Sequence, residues 1–237
     1  MNLLLHNLHI WKMSEMKLHI IFPKDSSTDF LQEIVHYLED NSTTVPIKVH
    51  RLKTSEEHSY VIDNAQTEFA QNSTILFLGH GMSSAISGAS TQDYIHPRAL
   101  IQESELAIFQ ERNLVLLSCR SDEYIRKYAW EAKLKCAIGF PNLVTDEYDR
   151  YGSEEDWVKK VSIDDIDLYR GVIVDVLKYS LEDYIENGLS LFQLYKRIRL
   201  RAQRKFMLYC KSLPKGDKPP YWHMLFDLSQ GVIITGN

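Results

Sequence analysis

Two side chains with reactive chemistry follow two of the most apolar runs of the chain. The run 76–78 ends two residues before His80, and the run 115–117 ends two residues before Cys119. Catalytic groups of open parallel α/β sheets collect beyond the carboxyl ends of the strands, so neighbouring strands would bring this imidazole and this thiol to one edge. An imidazole there could take the proton of a thiol that is otherwise only a few per cent ionised. The two residues therefore predict a cysteine nucleophile, Cys119, with His80 as its base.

The backbone around these two residues suits the same chemistry. Gly79 and Gly81 flank His80, which permits a tight backbone path and leaves the amide after the histidine free to point at a developing oxyanion. Cys119 precedes a predicted helix over residues 122–133, whose unpaired amides and dipole would stabilise a thiolate and a tetrahedral intermediate. We therefore predict the backbone amides of Gly81 and Cys119 as the oxyanion donors.

Each of these residues also has a plain structural interpretation. A free cysteine at the end of a buried strand is commonly a small packed hydrophobe, and a histidine between glycines can serve packing alone. The Ser/Gly-rich stretch 82–91 could instead bind a small ligand. However, the sequence GHGMSSAISG lacks the lysine of a P-loop and the glycine spacing of a dinucleotide site. The occurrence of both reactive residues after successive apolar runs favours the dyad.

The elements that must position the dyad alternate between short apolar runs and helical patterns, which is typical of a mostly parallel sheet with helices on its faces. The predicted strands are residues 18–22, 45–52, 74–78, 113–117 and 136–140, and the predicted helices are residues 28–40, 56–71, 122–133, 163–187 and 189–211. Residues 82–91 are predicted as an unpacked loop, 97–110 as a short helical or mixed segment, and 142–162 as turn-rich. The pattern predicts one α/β domain over residues 17–237, preceded by an extension over residues 1–16.

Composition limits the class of protein. Of the 237 residues, 44% are hydrophobic and 25% are charged, which is the usage of soluble globular proteins and excludes a disordered or collagen-like chain. The net charge of -5 supplies no general basic field for a nucleic acid. The basic residues between 196 and 205 are therefore predicted to form the solvated face of one amphipathic helix. Because no run approaches the roughly 20 apolar residues of a membrane span and no signal-peptide pattern is present, no membrane partner is expected.

The cysteines and the remaining histidines predict neither disulfides nor a metal site. Cys119, Cys136 and Cys210 are too few and too widely spread for a disulfide framework or a four-thiolate zinc site, so a reducing cytoplasm is the expected compartment. Four further histidines fall in ordinary helix, strand or loop positions, and no pair among them has zinc-ligand spacing. They are His36, His50, His58 and His96.

The segments around the dyad resemble the histidine and cysteine motifs of caspase-like (clan CD) cysteine peptidases, most closely their CHAT branch, which is related to the separases. The matching segments are Thr74–Gly81 (TILFLGHG), Leu114–Ser121 (LVLLSCRS), Cys136–Asp146 (CAIGFPNLVTD) and the terminal residues Tyr221, Trp222 and Gly231. This resemblance implies a caspase-like three-layer sandwich, with a mostly parallel central sheet and helices on both faces. Residues 17–237 would then form one CHAT-type peptidase domain.

The resemblance also implies an activity. Cys119 would be the nucleophile and His80 the general base and acid of an endopeptidase that forms a thioester and hydrolyses it with water, without a metal or an organic cofactor. Asp146 and Asp149 resemble the acidic loop that helps separase-like members bind a basic side chain before the cleaved bond. Metacaspase-like members carry an acid two residues before the cysteine, where this chain has Leu117, so their arginine-binding pocket is not expected.

The resemblance has consequences for partners as well. Family members are often regulated effectors in cell-death, signalling or antiviral defence programmes, so a protein or peptide substrate and an activating protein are the expected partners. The alternative hypothesis is a non-catalytic caspase-like scaffold, in which the same sheet serves as an interaction module. A scaffold need not keep both His80 and Cys119, and their presence favours the enzyme.

Overall fold

The structure, a computed structural model, describes residues 17–70, 73–94, 99–151 and 153–236. The predicted extension over residues 1–16 lies outside the described residues, as does His96. Within the described ranges the strands are β1 (Leu18–Pro23), β2 (Ile47–Leu52), β3 (Thr74–Leu78), β4 (Gly81–Met82), β5 (Ala85–Ser87), β6 (Ala99–Gln102), β7 (Asn113–Leu117), β8 (Cys136–Gly139) and β9 (Ile233–Gly236).

Six of these strands form a central sheet in the order β2-β1-β3-β7-β8-β9. The first five strands are parallel, and β9 closes one edge antiparallel to β8. Every residue of β1 and β3 is buried, as expected for parallel strands whose two faces are both covered. The predicted α/β class with a mostly parallel sheet is confirmed.

The helices of the described residues are α1 (Gln32–Asn41), α2 (Ser55–Asp63), α3 (Ala65–Glu68), α4 (Ser121–Tyr128), α5 (Tyr148–Tyr151), α6 (Ile163–Glu186), α7 (Leu191–Ser212) and α8 (Pro220–Gly231). Short 3₁₀ helices cover Ser26–Leu31, Glu103–Phe109 and Val158–Lys160. Three of the α-helices begin with a capping box, in which the side chains of Thr54, Ser162 and Ser190 accept a hydrogen bond from the amide three residues later.

Two hydrophobic cores lie on opposite faces of the sheet, because successive strand residues point to opposite sides. Leu18 and Ile20 of β1 pack into the core formed with α1, α6, α7 and α8. Ile21 of the same strand packs into the core formed with α2, α3 and α4. Helices therefore cover both faces of the sheet.

The structure corrects several predicted elements. The single helix expected over residues 56–71 is two short helices, α2 and α3, separated at Asn64. Residues 82–91, expected to be an unpacked loop, contribute Met82 of β4 and the whole of β5. Residues 99–110 hold β6 and a short 3₁₀ helix, in agreement with the expected mixed segment. Ile86 and Ile101 of these strands are fully buried, but strands of two to four residues are too short to show an alternating pattern.

The basic face of α7 is partly ion-paired with α6. Arg201 lies 2.9 Å from Asp183, and Lys205 lies 2.8 Å from Asp175. Both basic side chains stay more than a third exposed, so these ion pairs, which the register of the two long helices allows, belong to the predicted solvated face. Across the described segments, none of the helices combines the length and the apolar composition needed to cross a bilayer.

Candidate active site

His80 and Cys119 lie at the same edge of the central sheet. Strands β3 and β7 are parallel neighbours with Leu78 opposite Leu117, and the amide of Gly79 donates to the Leu117 carbonyl over 3.2 Å. The two chain segments that leave these strands therefore run side by side. Both His80 and Cys119 line one small cavity there, as the apolar runs of the sequence predict.

The imidazole of His80 is held by residues that follow β1. His80 Nε2 lies 2.6 Å from Ser27 Oγ and 3.7 Å from Asp25 Oδ1. Ser27 Oγ donates to Asp25 Oδ1 over 2.6 Å, and the Ser27 amide donates to the same oxygen over 2.9 Å. Asp25, Ser27 and His80 thus form a hydrogen-bonded chain, called here the Asp25–Ser27–His80 chain.

The number of hydrogens in the Asp25–Ser27–His80 chain determines the tautomer of His80. A serine hydroxyl has one hydrogen, and its stronger partner is a carboxylate rather than a neutral ring nitrogen. Ser27 therefore gives its hydrogen to Asp25 and accepts one from His80 Nε2. In the neutral imidazole the lone pair is then on Nδ1, which is the state that a general base requires.

The thiol of Cys119 is not engaged by the histidine in this state. Cys119 Sγ donates to the carbonyl of Leu143 over 2.9 Å, and no hydrogen bond joins it to His80 among the residues described. Burial, and secondly the negative charge of Asp149, raise the pKa of the Cys119 thiol to about 12. The side chain is therefore a protonated thiol at neutral pH.

The start of α4 does not stabilise a thiolate as the sequence analysis expects. The amides of Arg120 and Asp122, which open this helix, donate to the carbonyls of Pro141 and Phe140 over 3.2 and 3.0 Å. The carbonyls of the loop that directly follows β8 therefore already occupy these donors. The expectation that the helix terminus favours the ionised form of Cys119 is wrong for this state, since burial dominates.

The segment from Pro141 to Asp149, called here the cover loop, closes over the thiol and is anchored at Thr145. The amide of Thr145 donates to Asp149 Oδ2 over 2.9 Å. Its carbonyl accepts from Arg170 Nε over 2.8 Å, and the guanidinium of Arg170 lies 5.3 Å above the ring centre of Phe30. Arg170, on α6, thus connects the cover loop to the body of the domain.

The two acids of the predicted substrate pocket occupy different positions in this loop. Asp149 is partly buried and close enough to interact electrostatically with both Cys119 and His80, and burial raises its pKa. Its Oδ2 also accepts from the amide of Asp146, whereas Asp146 Oδ1 accepts from the amide of Tyr148. The structure therefore brings Asp149 to the dyad, and it places Asp146 in a local turn.

The backbone at Gly81, the first predicted oxyanion donor, lies close to the segment that carries Cys119. The amide of Ser87 donates to the carbonyl of His80, so the next pair along this ribbon, Gly81 and Ile86, is non-hydrogen-bonded and the Gly81 amide points away from β5. A Cβ at Gly81 would lie 2.5 Å from Ser118 Oγ, which shows how closely this backbone approaches the segment that carries the thiol. Within the described ranges the amide of Cys119 donates to no backbone carbonyl.

The cavity beside the dyad is small. Its free volume is about 10 Å³, roughly the room that one water needs. A larger open cleft of about 700 Å³ lies between α1 and α6, and Phe30 lines both spaces. His80 and Cys119 line the small cavity and not the larger cleft.

Three residues that hold His80 or the cover loop are not predicted from the sequence, namely Asp25, Ser27 and Arg170. The signal for the first two is present, because they directly follow the apolar run of β1 and strand ends are where such groups collect. Arg170 gives no signal, since an arginine on a charged helix is ordinarily solvated. The one cluster that could hold a metal ion among the described residues, His19 with His50 and Glu68, does not line this cavity.

Comparisons of the chain with protein-family models, curated proteins and solved structures found no match.

Proposed function

We propose that this chain is a cysteine endopeptidase of the caspase-like fold that hydrolyses peptide bonds with a Cys119/His80 dyad. One observation carries the proposal: at the ends of adjacent strands, His80 and Cys119 line one cavity while Asp25 and Ser27 hold the imidazole. A positioned base beside a thiol, with a third group that orients the base, is the arrangement of activated nucleophiles. Three free cysteines support a reducing, cytoplasmic setting.

Acylation uses the tautomer described above. The lone pair on His80 Nδ1 takes the proton of the Cys119 thiol, and the thiolate attacks the carbonyl carbon of the scissile bond. The oxyanion that forms accepts hydrogen bonds from the amides of Gly81 and Cys119. The intermediate then collapses, the C–N bond breaks, and the imidazolium returns its proton to the leaving amine.

In deacylation, His80 acts as a base again, this time towards a water molecule. A water gives a proton to His80 while its oxygen attacks the thioester, and the second tetrahedral intermediate releases the carboxylic acid and the Cys119 thiol. During both steps the imidazole carries a transient positive charge. The Asp25 carboxylate, 3.7 Å from Nε2, stabilises that charge directly and through Ser27.

The state described here is a resting state in this proposal. The thiol donates to Leu143, its pKa is raised by burial, and the cavity has room for about one water. Activation therefore requires the cover loop to leave the thiol, which would open the cavity and let Cys119 turn to His80. An activating protein, a processing event or a rearrangement of the loops after β3 and β8 would supply this change. Such control suits a regulated effector in signalling, cell death or defence.

One observation favours the alternative of a non-catalytic interaction scaffold. A partly buried, protonated thiol bonded to a backbone carbonyl is what a packed structural cysteine looks like. The Asp25–Ser27–His80 chain favours the enzyme, because a scaffold has no use for a carboxylate aligned on a histidine. The two hypotheses differ in whether the thiol becomes reactive once the cover loop is loosened.

Hydrolysis of a mixed peptide library tests the proposal, with products identified by mass spectrometry. We expect the wild type to cleave slowly and Arg170→Gln, which frees the cover loop, to cleave faster. In the Arg170→Gln background, Cys119→Ala should abolish cleavage, and His80→Ala should slow it by about 10²–10⁴-fold, the usual contribution of a general acid–base group.

Matched cysteine variants control this experiment. Cys136→Ala and Cys210→Ala remove thiols outside the cavity, so both should retain most of the activity. Turnover that survives Cys119→Ala would reject the mechanism. If neither the wild type nor Arg170→Gln cleaves any peptide, the scaffold is the better account.

A further inference from the structure

Two buried histidines meet on the face of the sheet that packs against α2, α3 and α4. His19 of β1 and His50 of β2 are 4% and 7% exposed. His50 lies opposite Ile21 in the parallel register, so the two histidines are diagonal neighbours on one face. Glu68, the last residue of α3, completes a cluster in which one ligand atom from each residue lies within 4.8 Å of the others.

We propose that His19, His50 and Glu68 form a zinc site with three protein ligands, separate from the His80–Cys119 cavity. Two imidazoles and one carboxylate are the ligand set of zinc sites that keep a fourth position for water. The site would join β1, the edge strand β2 and the end of α3. This inference does not depend on the proposed peptidase activity.

The spacing of the two rings fits a shared ion. His19 Nδ1 and His50 Nε2 are 3.2 Å apart, and two nitrogens bound tetrahedrally at about 2.0–2.1 Å from zinc are separated by about 3.3–3.4 Å. The Glu68 carboxylate must approach by one to two ångströms, on the order of a side-chain rotation. Its side chain is 18% exposed and ends a four-residue helix, so this adjustment involves no buried backbone.

The polar atoms of this cluster are incompletely satisfied by the protein. His19 Nε2 is buried and has no hydrogen-bond partner among the described residues. Metals coordinate an imidazole through a ring nitrogen, and these two rings lie side by side with their centres 5.5 Å apart. The ion would bind His19 through Nδ1, the nitrogen that faces His50, so Nε2 would carry the ring hydrogen and is not a ligand atom.

The carboxylate of Glu68 already has a positively charged partner. Lys48 forms an ion pair with Glu68, and its own side chain is 53% exposed. Zinc and this ammonium compete for one carboxylate, so removal of the lysine should strengthen zinc binding. A cluster with only a structural role predicts no such gain.

Zinc affinity of the untagged Cys119→Ala protein tests the proposal, measured by competition with a chromogenic chelator. The cysteine is replaced because a thiol beside His80 could itself bind zinc. We expect one equivalent of zinc to bind, Glu68→Gln to weaken binding at least about tenfold, and Lys48→Met to strengthen it severalfold. At a free zinc concentration of about a hundred times Kd, the melting temperature should rise by about 5–10 °C.

The matched control is His36→Gln, which removes an exposed histidine of α1 that bonds Gln32 and should leave zinc affinity unchanged. His50→Gln should abolish the zinc-dependent rise in melting temperature. Circular dichroism of each metal-free variant confirms that it is folded. The proposal is overturned if the Cys119→Ala protein binds no zinc in the micromolar range, or if Glu68→Gln and His50→Gln bind it as tightly as that protein does.

Discussion

Loosening the cover loop should make the thiol of Cys119 far more reactive. The Leu143 carbonyl that accepts the thiol hydrogen belongs to this loop, and Arg170 anchors the loop through the Thr145 carbonyl. Arg170→Gln removes that anchor and the contact of the guanidinium with Phe30. We expect the loop to open more often and the thiol to be exposed to water and to alkylating reagents.

The size of the effect follows from the pKa of the thiol. Burial raises it from 9.0 to about 12, so at pH 8 the thiolate fraction falls by about a thousandfold. A more basic thiolate is intrinsically more nucleophilic. With a Brønsted coefficient of about 0.4–0.5, its intrinsic rate constant is roughly 15–30-fold higher, which partly offsets the lower thiolate fraction. The resting Cys119 should therefore alkylate about 30–60-fold more slowly than an ordinary thiol, and Arg170→Gln should recover at least about tenfold of this difference.

Iodoacetamide labelling followed by peptide mass mapping measures these rates, with Cys210 in the same molecule as the internal reference. For Cys119 of the wild type, the rate should keep rising with pH above 9, where an ordinary thiol levels off. Arg199→Gln is the matched control, because that arginine also stacks on an aromatic ring but lies on α7. A wild-type Cys119 that reacts as fast as a small free thiol at pH 8 would refute the account of the resting state.

Substitutions at four further positions probe the groups around the dyad in the loop-loosened protein. Ser27→Ala removes one hydrogen bond to the imidazole, so kcat should fall about five- to tenfold with little change in KM and with a shifted acidic limb of the pH–rate profile; Ser27→Thr should restore most of the loss. Gly81→Ala places a methyl group against Ser118 and displaces an oxyanion donor, so kcat should fall about 10²–10³-fold without loss of circular dichroism signal. If the acidic loop binds the side chain before the cleaved bond, Asp149→Asn should lower kcat/KM about tenfold for peptides with arginine or lysine at that position. Peptides with leucine there should hardly be affected, and Asp146→Asn should have the smaller effect. A cleavage profile that favours leucine, methionine or aspartate would reject the acidic pocket and leave the dyad untouched.

The placement of the dyad could be predicted because it depends on local signals. The apolar runs that form β3 and β7 are long enough to identify as buried strands, and reactive residues directly after such strands share an edge when the strands are neighbours. For the same reason the close approach at Gly81 is suggested by a glycine directly after the histidine. The α/β class follows from the same alternation of elements.

Features that depend on long-range packing could not be predicted. The bond between Ser27 and His80 joins residues 53 positions apart, and the pairing of His19 with His50 requires the parallel register of β1 and β2. Neither the strand order nor the register is encoded in a local pattern. The protonated state of Cys119 likewise results from burial by the cover loop, whose turn-rich sequence gives no sign of where it packs.

The site of covalent attack by a peptidyl acyloxymethyl ketone tests the central claim most directly. The chain is incubated with such probes carrying arginine, lysine, leucine or aspartate before the reactive group, and the modified residue is mapped by mass spectrometry. The account predicts a single adduct on Cys119 that forms faster in Arg170→Gln and at least about a hundredfold more slowly when His80 is also replaced by alanine. Modification spread evenly over Cys119, Cys136 and Cys210, or modification of Cys119 at a rate indifferent to His80, would contradict it.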